Sequence, residues 1–164
     1  MSIAVYPGSF DPITLGHLNI IRRTSRVFDK VLVCVMSDFE KSPLFTHEER
    51  VELIQRTVAK YPNVKVEMSK DLLVDYMKSK GAKVVIKGMR AVSDFDREFQ
   101  LALVNRKLDH NIETLLMPSS EKYTYLSSTV VKEMAKYGAD LSTFVPNEII
   151  DDLVMKVKNV GWRL

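Results

Sequence analysis

Residues 5–17 read Val-Tyr-Pro-Gly-Ser-Phe-Asp-Pro-Ile-Thr-Leu-Gly-His, and the interpretation of the whole chain starts from them. They follow a short apolar run and lead into apolar residues at helical spacing, which predicts a strand, a loop and a helix in succession. Ser9 lies in the predicted loop, and His17 lies where the helix begins. Loops at the carboxyl ends of parallel strands commonly bind ligands, and a helix N-terminus favours anions. The stretch contains neither G-x-G-x-x-G nor G-x-x-x-x-G-K-[ST], so those two phosphate-binding mechanisms are not expected.

The composition is typical of a globular protein. A hydrophobic share of 46% with 27% charged residues, in 164 residues, favours one domain spanning residues 1–164 over disorder. The net charge of +3 is too small to imply nucleic-acid binding, but it suits anionic small molecules. Cys34 is the single cysteine, which excludes an intrachain disulfide and a cysteine-built zinc site. With no signal-type segment at the start and no apolar run of membrane-spanning length, a cytoplasmic location without membrane contact is expected.

Five runs of strand type, of which the one at 63–68 alternates apolar with polar residues, are separated by segments of helical spacing. The runs lie at residues 3–6, 30–36, 63–68, 83–86 and 113–117. This alternation predicts an α/β domain with a mostly parallel sheet. The continuous run at 30–36 is typical of a strand buried on both faces of such a sheet.

Helix ends are predicted from capping residues. Thr46 and Glu49 have the spacing of a capping box, and Asp71 and Ser93 are predicted to cap the next two helices. Pro146 is predicted to begin a last amphipathic helix. The aromatic residues and methionines of the helices are assigned to the core.

Polar loops follow the predicted strands, and their side chains should gather at one edge of the sheet. Cations and hydroxyl groups near two helix N-termini suit phosphate groups. Carboxylates are sparse in the same loops, which argues against an acid/base hydrolase. In chain order the candidates are Ser9, His17, Lys41, Lys87, Arg90 and the Ser-Ser-Thr segment at 127–129.

Each candidate also has a simpler interpretation. A histidine in the first turn of a helix, such as His17, is commonly a surface residue, and the two lysines taken singly would be solvated. The segment at 127–129 is explained sufficiently by helix capping. His47 and His110 are expected at the surface.

Four segments carry a resemblance to a known family. Residues 6–17 resemble the (T/S)-F-D-P-x-(T/H)-x-G-H signature of the nucleotidylyltransferase superfamily. Residues 41–50 (Lys-Ser-Pro-Leu-Phe-Thr-His-Glu-Glu-Arg), 87–98 and 126–133 extend the resemblance to the bacterial phosphopantetheine adenylyltransferases over essentially the whole length. The resemblance implies a Rossmann-like, doubly wound five-stranded parallel sheet with flanking helices and a C-terminal helical segment.

The family joins 4′-phosphopantetheine to the adenylyl part of ATP, giving dephospho-coenzyme A and pyrophosphate in coenzyme A biosynthesis. By resemblance, His17 donates to the α-phosphate in the transition state, and Ser9 touches both substrates with Phe10 beside the nucleotide. Lys41 resembles the residue that holds the pantetheine phosphate, and Arg90 is assigned to catalysis with it.

The resemblance also assigns a nucleotide site and a pantetheine site. Leu73 and Lys87 match pantetheine-binding positions, in addition to Ser9 and Lys41. The ATP-binding positions are, besides Ser9, Phe10 and His17, Gly88, Met89, Arg90, Glu98, Tyr123, Thr124, Tyr125, Leu126, Ser127, Ser128 and Thr129. Many family members carry arginine at position 87 and lysine at position 42, so Lys87 and Ser42 are departures that weaken phosphate binding.

The implied cofactor is Mg²⁺, held mainly by substrate phosphates and water instead of by a set of protein ligands. The family's homohexamer and its inhibition by coenzyme A are implied in the same way. Two alternatives stay open at this point. One is a relative that uses nicotinamide mononucleotide or a cytidylyl donor, and the other is a non-catalytic nucleotide sensor.

Overall fold

The computed structural model describes residues 1–36 and 43–161. Within these ranges five parallel strands form one sheet in the order β3-β2-β1-β4-β5. The strands are β1 (Ile3–Gly8), β2 (Lys30–Met36), β3 (Val64–Ser69), β4 (Val84–Met89) and β5 (Glu113–Pro118). The five predicted strands are therefore confirmed. β2 has the predicted ends, and the ends of the others differ by at most three residues, since loop residues such as Pro7 and Gly8 continue the pairing.

Helices cover both faces of the sheet, as a doubly wound fold requires. They are α1 (Leu15–Thr24), α2 (His47–Val58), α3 (Leu73–Lys80), α4 (Val92–Leu108), α5 (Ser128–Lys136) and α6 (Ile150–Asn159). Short 3₁₀ turns at Glu121–Tyr123 and Asn147–Ile149 precede α5 and α6. The first turn after Pro146 is therefore 3₁₀, and the last α-helix begins at Ile150.

Two apolar cores result from this arrangement. On one face Val31, Val33 and Val35 of β2 pack with Ile20 of α1 and Ile54 of α2. On the other face the alternate residues of β2, Leu32 and Cys34, pack against Val74 and Met77 of α3. Successive side chains of β2 therefore enter two different cores, and both sets must be apolar. The run at 30–36 predicted such a strand, buried on both faces of the sheet.

The strand order places the functional loops. The chain builds β1, β2 and β3 outward in one direction, and then returns to add β4 on the other side of β1. The loops after β1 and β4 leave the sheet toward opposite faces, and the crevice between them is where open α/β sheets bind ligands. The loop that contains Ser9 therefore stands at the topological switch point.

Two of the predicted caps are wrong. Thr46 and Glu49 do form the capping box of α2. At α3, however, Leu72 occupies the N-cap position without a side-chain bond, and the Asp71 carboxylate accepts from the Ser69 hydroxyl instead. At α4, Ala91 precedes the helix, so Ser93 lies inside its first turn. Both helices begin without a side-chain cap because their N-cap residues, Leu72 and Ala91, have no side-chain oxygen to accept a backbone hydrogen bond.

The placement of the α4 aromatics in the core is also wrong. No residue of α4 is buried in this structure, and Phe95 and Phe99 stack on each other while 39% and 47% exposed. Leu103, Val104 and Leu108 of the same helix are about half exposed. Apolar spacing predicts a face that something covers, but it does not say whether this chain or another one covers it.

None of the described helices is both long enough and apolar enough to cross a bilayer.

Candidate active site

A cavity of about 540 Å³ opens at the switch point, at the carboxyl ends of β1 and β4. Six segments form its wall: the end of β1, the first turn of α1, the end of β4, the first two turns of α4, the loop after β5 and the start of α5. The lining residues are Tyr6, Pro7, Gly8, Ser9, Thr14, Gly16, His17, Ile20, Lys87, Gly88, Arg90, Ser93, Asp94, Arg97, Glu98, Ser119, Tyr123, Leu126, Ser127, Ser128 and Thr129.

His17 is held in one orientation by the N-terminus of α1. Thr14 is the N-cap, and its hydroxyl accepts from the His17 backbone N–H at 3.3 Å. In return the backbone N–H of Thr14 donates to His17 Nδ1 at 3.0 Å. Because Nδ1 accepts a backbone proton, the ring proton of the neutral histidine resides on Nε2. The N–H donor of the ring is therefore on Nε2, the nitrogen that does not bond to Thr14.

The environment of His17 keeps its ring neutral. Burial, and then the positive charge of Arg90, lower its pKa from 6.5 to about 4. At neutral pH the ring is consequently an uncharged N–H donor. Because the folded pKa lies below the ordinary value, this group contributes stability that is fully present above pH 6.5 and lost as pH falls through about 4.

An NMR titration tests this state directly. We expect ¹⁵N spectra of labelled protein to show the Nε2-protonated tautomer of His17 at pH 7 and a protonation midpoint near 4. A midpoint near the ordinary value of 6.5 would contradict the lowered pKa of His17. A proton on Nδ1 would contradict the hydrogen bond from Thr14.

Two aromatic rings, those of Phe10 and Tyr6, pack next to the imidazole of His17. The Phe10 ring lies edge-on to the imidazole with centroids 5.1 Å apart, and Tyr6 lies edge-on to Phe10 at 5.3 Å. Phe10 is 1% exposed and adopts a φ of 46°, a region that bulky residues rarely occupy. The buried Phe10 ring contacts the histidine, and its side chain does not line the cavity.

Arg90 ties the end of β4 to the loop before α5. Its Nη1 donates to the Leu126 carbonyl at 3.0 Å, and Asp94 accepts from its backbone N–H at 3.0 Å and from its Nε at 3.3 Å. Burial raises the pKa of the Asp94 carboxyl, but the hydrogen bonds from Arg90 outweigh burial and hold it below its usual range. The guanidinium is thus fixed at the cavity wall before any ligand arrives.

Lys87 and Glu98 form an ion pair across the same wall. Lys87 Nζ lies 3.2 Å from Glu98 Oε2, and both side chains are about four-fifths buried. That carboxylate oxygen is buried without a well-oriented hydrogen bond. Because the Glu98 carboxylate lacks a well-oriented hydrogen bond from Lys87, both side chains can form additional bonds to a ligand.

The start of α5 closes the site. Ser127 is its N-cap, as predicted, and accepts from the Val130 N–H at 3.1 Å. The Ser128 hydroxyl donates to the Pro12 carbonyl at 2.7 Å and joins α5 to the loop after β1. The first turn of α5 therefore presents its unpaired N–H groups and dipole to the cavity.

The chain matches the cytidylyltransferase-like family over residues 5–134. The phosphopantetheine adenylyltransferase of Clostridium botulinum (strain Hall) is 53% identical over 159 residues, which cover 97% of both chains. That of Clostridium novyi (strain NT) is 52% identical over 160 residues, covering 98% of this chain and 99% of the relative. The chain belongs to the phosphopantetheine adenylyltransferase family.

A solved structure from Vibrio parahaemolyticus, assigned as a nicotinate-nucleotide adenylyltransferase, has the same fold. Its TM-score is 0.68 with 99% of this chain and 95% of that chain covered, at 19% identity. At this identity the likeness concerns the fold alone, and it confirms the Rossmann-like expectation.

Most residues that the family resemblance selects do meet at the cavity. Those in its wall are Ser9, His17, Lys87, Gly88, Arg90, Glu98, Tyr123, Leu126, Ser127, Ser128 and Thr129. The side chains of five others do not line it: Phe10, Leu73, Met89, Thr124 and Tyr125. Lys41 lies outside the described residues. The family roles of all these residues stay predictions.

Sequence reasoning overlooked several residues of the wall. Thr14 and His17 have the spacing of a capping box, but histidine in place of the usual Glu or Gln hides it. Asp94 stands four residues after Arg90, a spacing that predicts an ion pair on a helix. Tyr6 and Arg97 carried no recognisable signal, because a strand residue and a mid-helix arginine are ordinary in those positions. The two wall carboxylates, Asp94 and Glu98, come from α4 and not from the loops.

Proposed function

We propose that the chain transfers the adenylyl group of ATP to the phosphate of 4′-phosphopantetheine, giving dephospho-coenzyme A and pyrophosphate in coenzyme A biosynthesis. The observation that carries the proposal is the neutral, oriented Nε2–H donor of His17 in one cavity with Arg90 and the N-terminus of α5. Relatives with that name, at 52–53% identity over nearly the full length, support the same substrates.

The reaction asks little acid or base chemistry of the protein. An oxygen of the acceptor phosphate forms a bond to the α-phosphorus, and the bond from that phosphorus to the pyrophosphate oxygen breaks. Since the nucleophile is already an anion, no side chain needs to remove a proton or become covalently bound. Catalysis is then the alignment of two anionic groups and the stabilisation of charge that develops on phosphate oxygens.

In this mechanism His17 donates from Nε2 to a non-bridging oxygen of the α-phosphate. This hydrogen bond becomes stronger as negative charge grows on the phosphate oxygen in the transition state. The bonds between Thr14 and His17 already hold the ring in place. Arg90 contributes a fixed positive charge beside it. The first turn of α5 receives the phosphates of ATP, in the manner of helix N-termini that bind anions.

Lys87 and Glu98 are assigned to different substrates. Lys87, with Ser9 and Lys41, holds the pantetheine phosphate, and Glu98 contacts the nucleotide. Because the two side chains lie 3.2 Å apart in this structure, ligand binding replaces or extends their ion pair. Part of the Lys87 charge is therefore neutralised until a phosphate arrives. Leu73 is assigned to the pantetheine arm.

Mg²⁺ enters with ATP as part of the substrate in this proposal. In the part of the chain that the structure describes, no three His, Cys, Asp or Glu side chains are grouped to hold a metal ion. Of the two wall carboxylates, Asp94 is bonded to Arg90, and Glu98 is assigned to the nucleotide. By the family resemblance, the ion would be held by phosphate oxygens and water, and it would withdraw charge from the leaving pyrophosphate.

A homohexamer is proposed as the working assembly, in the cytoplasm, with coenzyme A as a feedback inhibitor. The exposed apolar side chains of α4 support an interface between copies, since a lone chain rarely leaves such a helix uncovered. The family resemblance is the source of the number six.

Light scattering tests the assembly. We expect a mass about six times that of the 18.8 kDa chain. Leu103→Asp should shift the protein to smaller species, because a carboxylate buried in an apolar interface is costly. Val27→Asp is the matched control, since Val27 is 72% exposed and lies outside α4. A wild-type monomer would contradict this assembly, and equal masses for Leu103→Asp and the wild type would contradict α4 as its interface.

The activity itself is tested by supplying ATP and Mg²⁺ with 4′-phosphopantetheine and identifying the product by mass spectrometry. The expected products are dephospho-coenzyme A and pyrophosphate in equal amounts. Parallel reactions replace the acceptor by nicotinamide mononucleotide, or ATP by CTP. Turnover only in a replacement reaction would assign the chain to another substrate, and calorimetric ATP binding without turnover would favour a sensor.

A further inference from the structure

A buried carboxylate outside the cavity wall joins three segments, two of which line the cavity. Asp11 is 5% exposed, in the loop between Ser9 and α1. Its Oδ1 accepts from the Phe45 N–H and its Oδ2 from the Leu44 N–H, both at 2.9 Å. Lys132 of α5 donates from Nζ to the same Oδ2 at 2.9 Å. One side chain therefore links the loop after β1, the segment before α2 and helix α5.

Neighbouring bonds strengthen the same junction. Arg50 of α2 is 2% exposed and donates from Nη1 to the Ser9 carbonyl at 2.7 Å. Ser128 donates to the carbonyl of Pro12, the residue after Asp11. The loop is thus fixed on one side to α2 and on the other side to α5. One attachment is made by the buried Arg50 side chain and the other by the partly buried Ser128 hydroxyl.

Each joined segment carries a group assigned to the transferring phosphates. The loop holds Ser9 and the Thr14 cap of His17, and α5 offers its N-terminus. Leu44 and Phe45 follow Lys41 by three and four residues in the sequence. Buried ion pairs are weak evidence for stability, but they do fix how elements sit relative to one another. An error of about 1 Å in such groups can lower turnover 10²-fold.

We infer that Asp11 is a positioning residue for phosphoryl alignment, which holds the loop of Ser9 and His17 in register with α5 and with the segment before α2. Lys132 acts through it and does not bind a substrate phosphate itself. The inference rests on the proposed function for the identity of the reaction, while the junction is independent of it.

Kinetics of Asp11→Asn, Lys132→Met and the double variant test the inference. We expect each single variant to lower kcat by roughly 10–100-fold, with KM changed by less than about threefold. In the double variant we expect less than about threefold further loss of kcat, because both substitutions remove the same link. A second full loss in the double variant would overturn the role of Lys132, and unchanged kcat in Asp11→Asn would overturn that of Asp11.

Two controls separate positioning from stability. Met77→Ala removes core volume in α3, in the core on the opposite face of the sheet from the junction, and should lower the melting temperature without lowering kcat. Arg56→Met removes the exposed ion pair between Arg56 and Asp152 and should change neither. If Met77→Ala, at a similar melting temperature, loses as much kcat as Asp11→Asn, the positioning role is excluded.

Hydrogen exchange gives a readout that needs no substrate. The amides of Leu44 and Phe45, which donate to Asp11, should exchange at least about tenfold faster in Asp11→Asn and in Lys132→Met than in Arg56→Met. Unchanged protection in both variants would overturn the inference. A wild-type protein that lacks turnover with 4′-phosphopantetheine would overturn the proposed function alone, and the exchange rates would still decide whether Asp11 holds the junction.

Discussion

His17→Ala is expected to lower kcat by roughly 10²–10³-fold, the magnitude associated with one oriented donor to a transition-state oxygen. The Nε2–H is fixed by the bond from the Thr14 backbone to Nδ1, and the low pKa keeps the ring neutral. Since the donor acts mostly in the transition state, KM for both substrates should change much less than kcat. Steady-state kinetics with each substrate saturating in turn measure the two effects separately.

Two further variants make this expectation specific. His17→Asn retains an N–H donor on a shorter side chain and should recover part of the loss. His110→Ala removes an exposed histidine outside the cavity wall and should retain wild-type turnover. Wild-type kcat in His17→Ala, with the variant folded by circular dichroism, would remove His17 from the mechanism.

Arg90→Ala is expected to lower kcat/KM by roughly 10²–10³-fold. The substitution removes a fixed positive charge from the cavity wall together with the bond that holds the Leu126 carbonyl before α5. Arg90→Lys restores the charge but not the planar fork, so it should recover only a minor part of the loss. Initial-rate measurements at substrate concentrations below KM give kcat/KM directly.

The same substitution has a spectroscopic consequence. Arg90 contributes, after burial, to the low pKa of His17, so Arg90→Ala should raise the His17 midpoint above 4 while leaving it below 6.5. Arg106→Ala is the matched control, because Arg106 forms an exposed ion pair with Glu113 at 2.9 Å. Equal losses in Arg90→Ala and Arg106→Ala, or full recovery by Arg90→Lys, would contradict the role of the guanidinium.

The sheet was predictable because its signals are local. Residues 31–36 are all apolar, as expected of a strand between two cores, and β2 lies there with both faces covered. Helix α4 shows the limit of such signals. Its apolar spacing resembles that of a core helix, yet Phe95 and Phe99 are exposed in the single chain. Local periodicity indicates that a helix face is apolar. Which element covers that face depends on the tertiary or quaternary structure, which the local sequence does not indicate.

The site was predictable in its membership more than in its chemistry. Loops after parallel strands brought Ser9, His17 and Arg90 to one wall, as the topology of the fold requires. The neutral state of His17 depends on burial and on the charge of Arg90, which follows β4. Residue spacing in the sequence does not indicate either effect. The junction at Asp11 was missed for the same reason, since Lys132 lies 121 residues further along the chain.

In the proposed mechanism the acceptor phosphate attacks the α-phosphorus of ATP directly, without a covalent enzyme intermediate. The deciding experiment supplies one diastereomer of ATP that carries sulfur on its α-phosphorus, with 4′-phosphopantetheine and Mg²⁺, and determines the configuration of that phosphorus in the dephospho-coenzyme A analogue formed. We predict inversion of configuration, pyrophosphate in equal amount and unmodified protein, because a single displacement inverts the phosphorus once. Retention of configuration, an adenylylated chain, or no dephospho-coenzyme A product would contradict this mechanism.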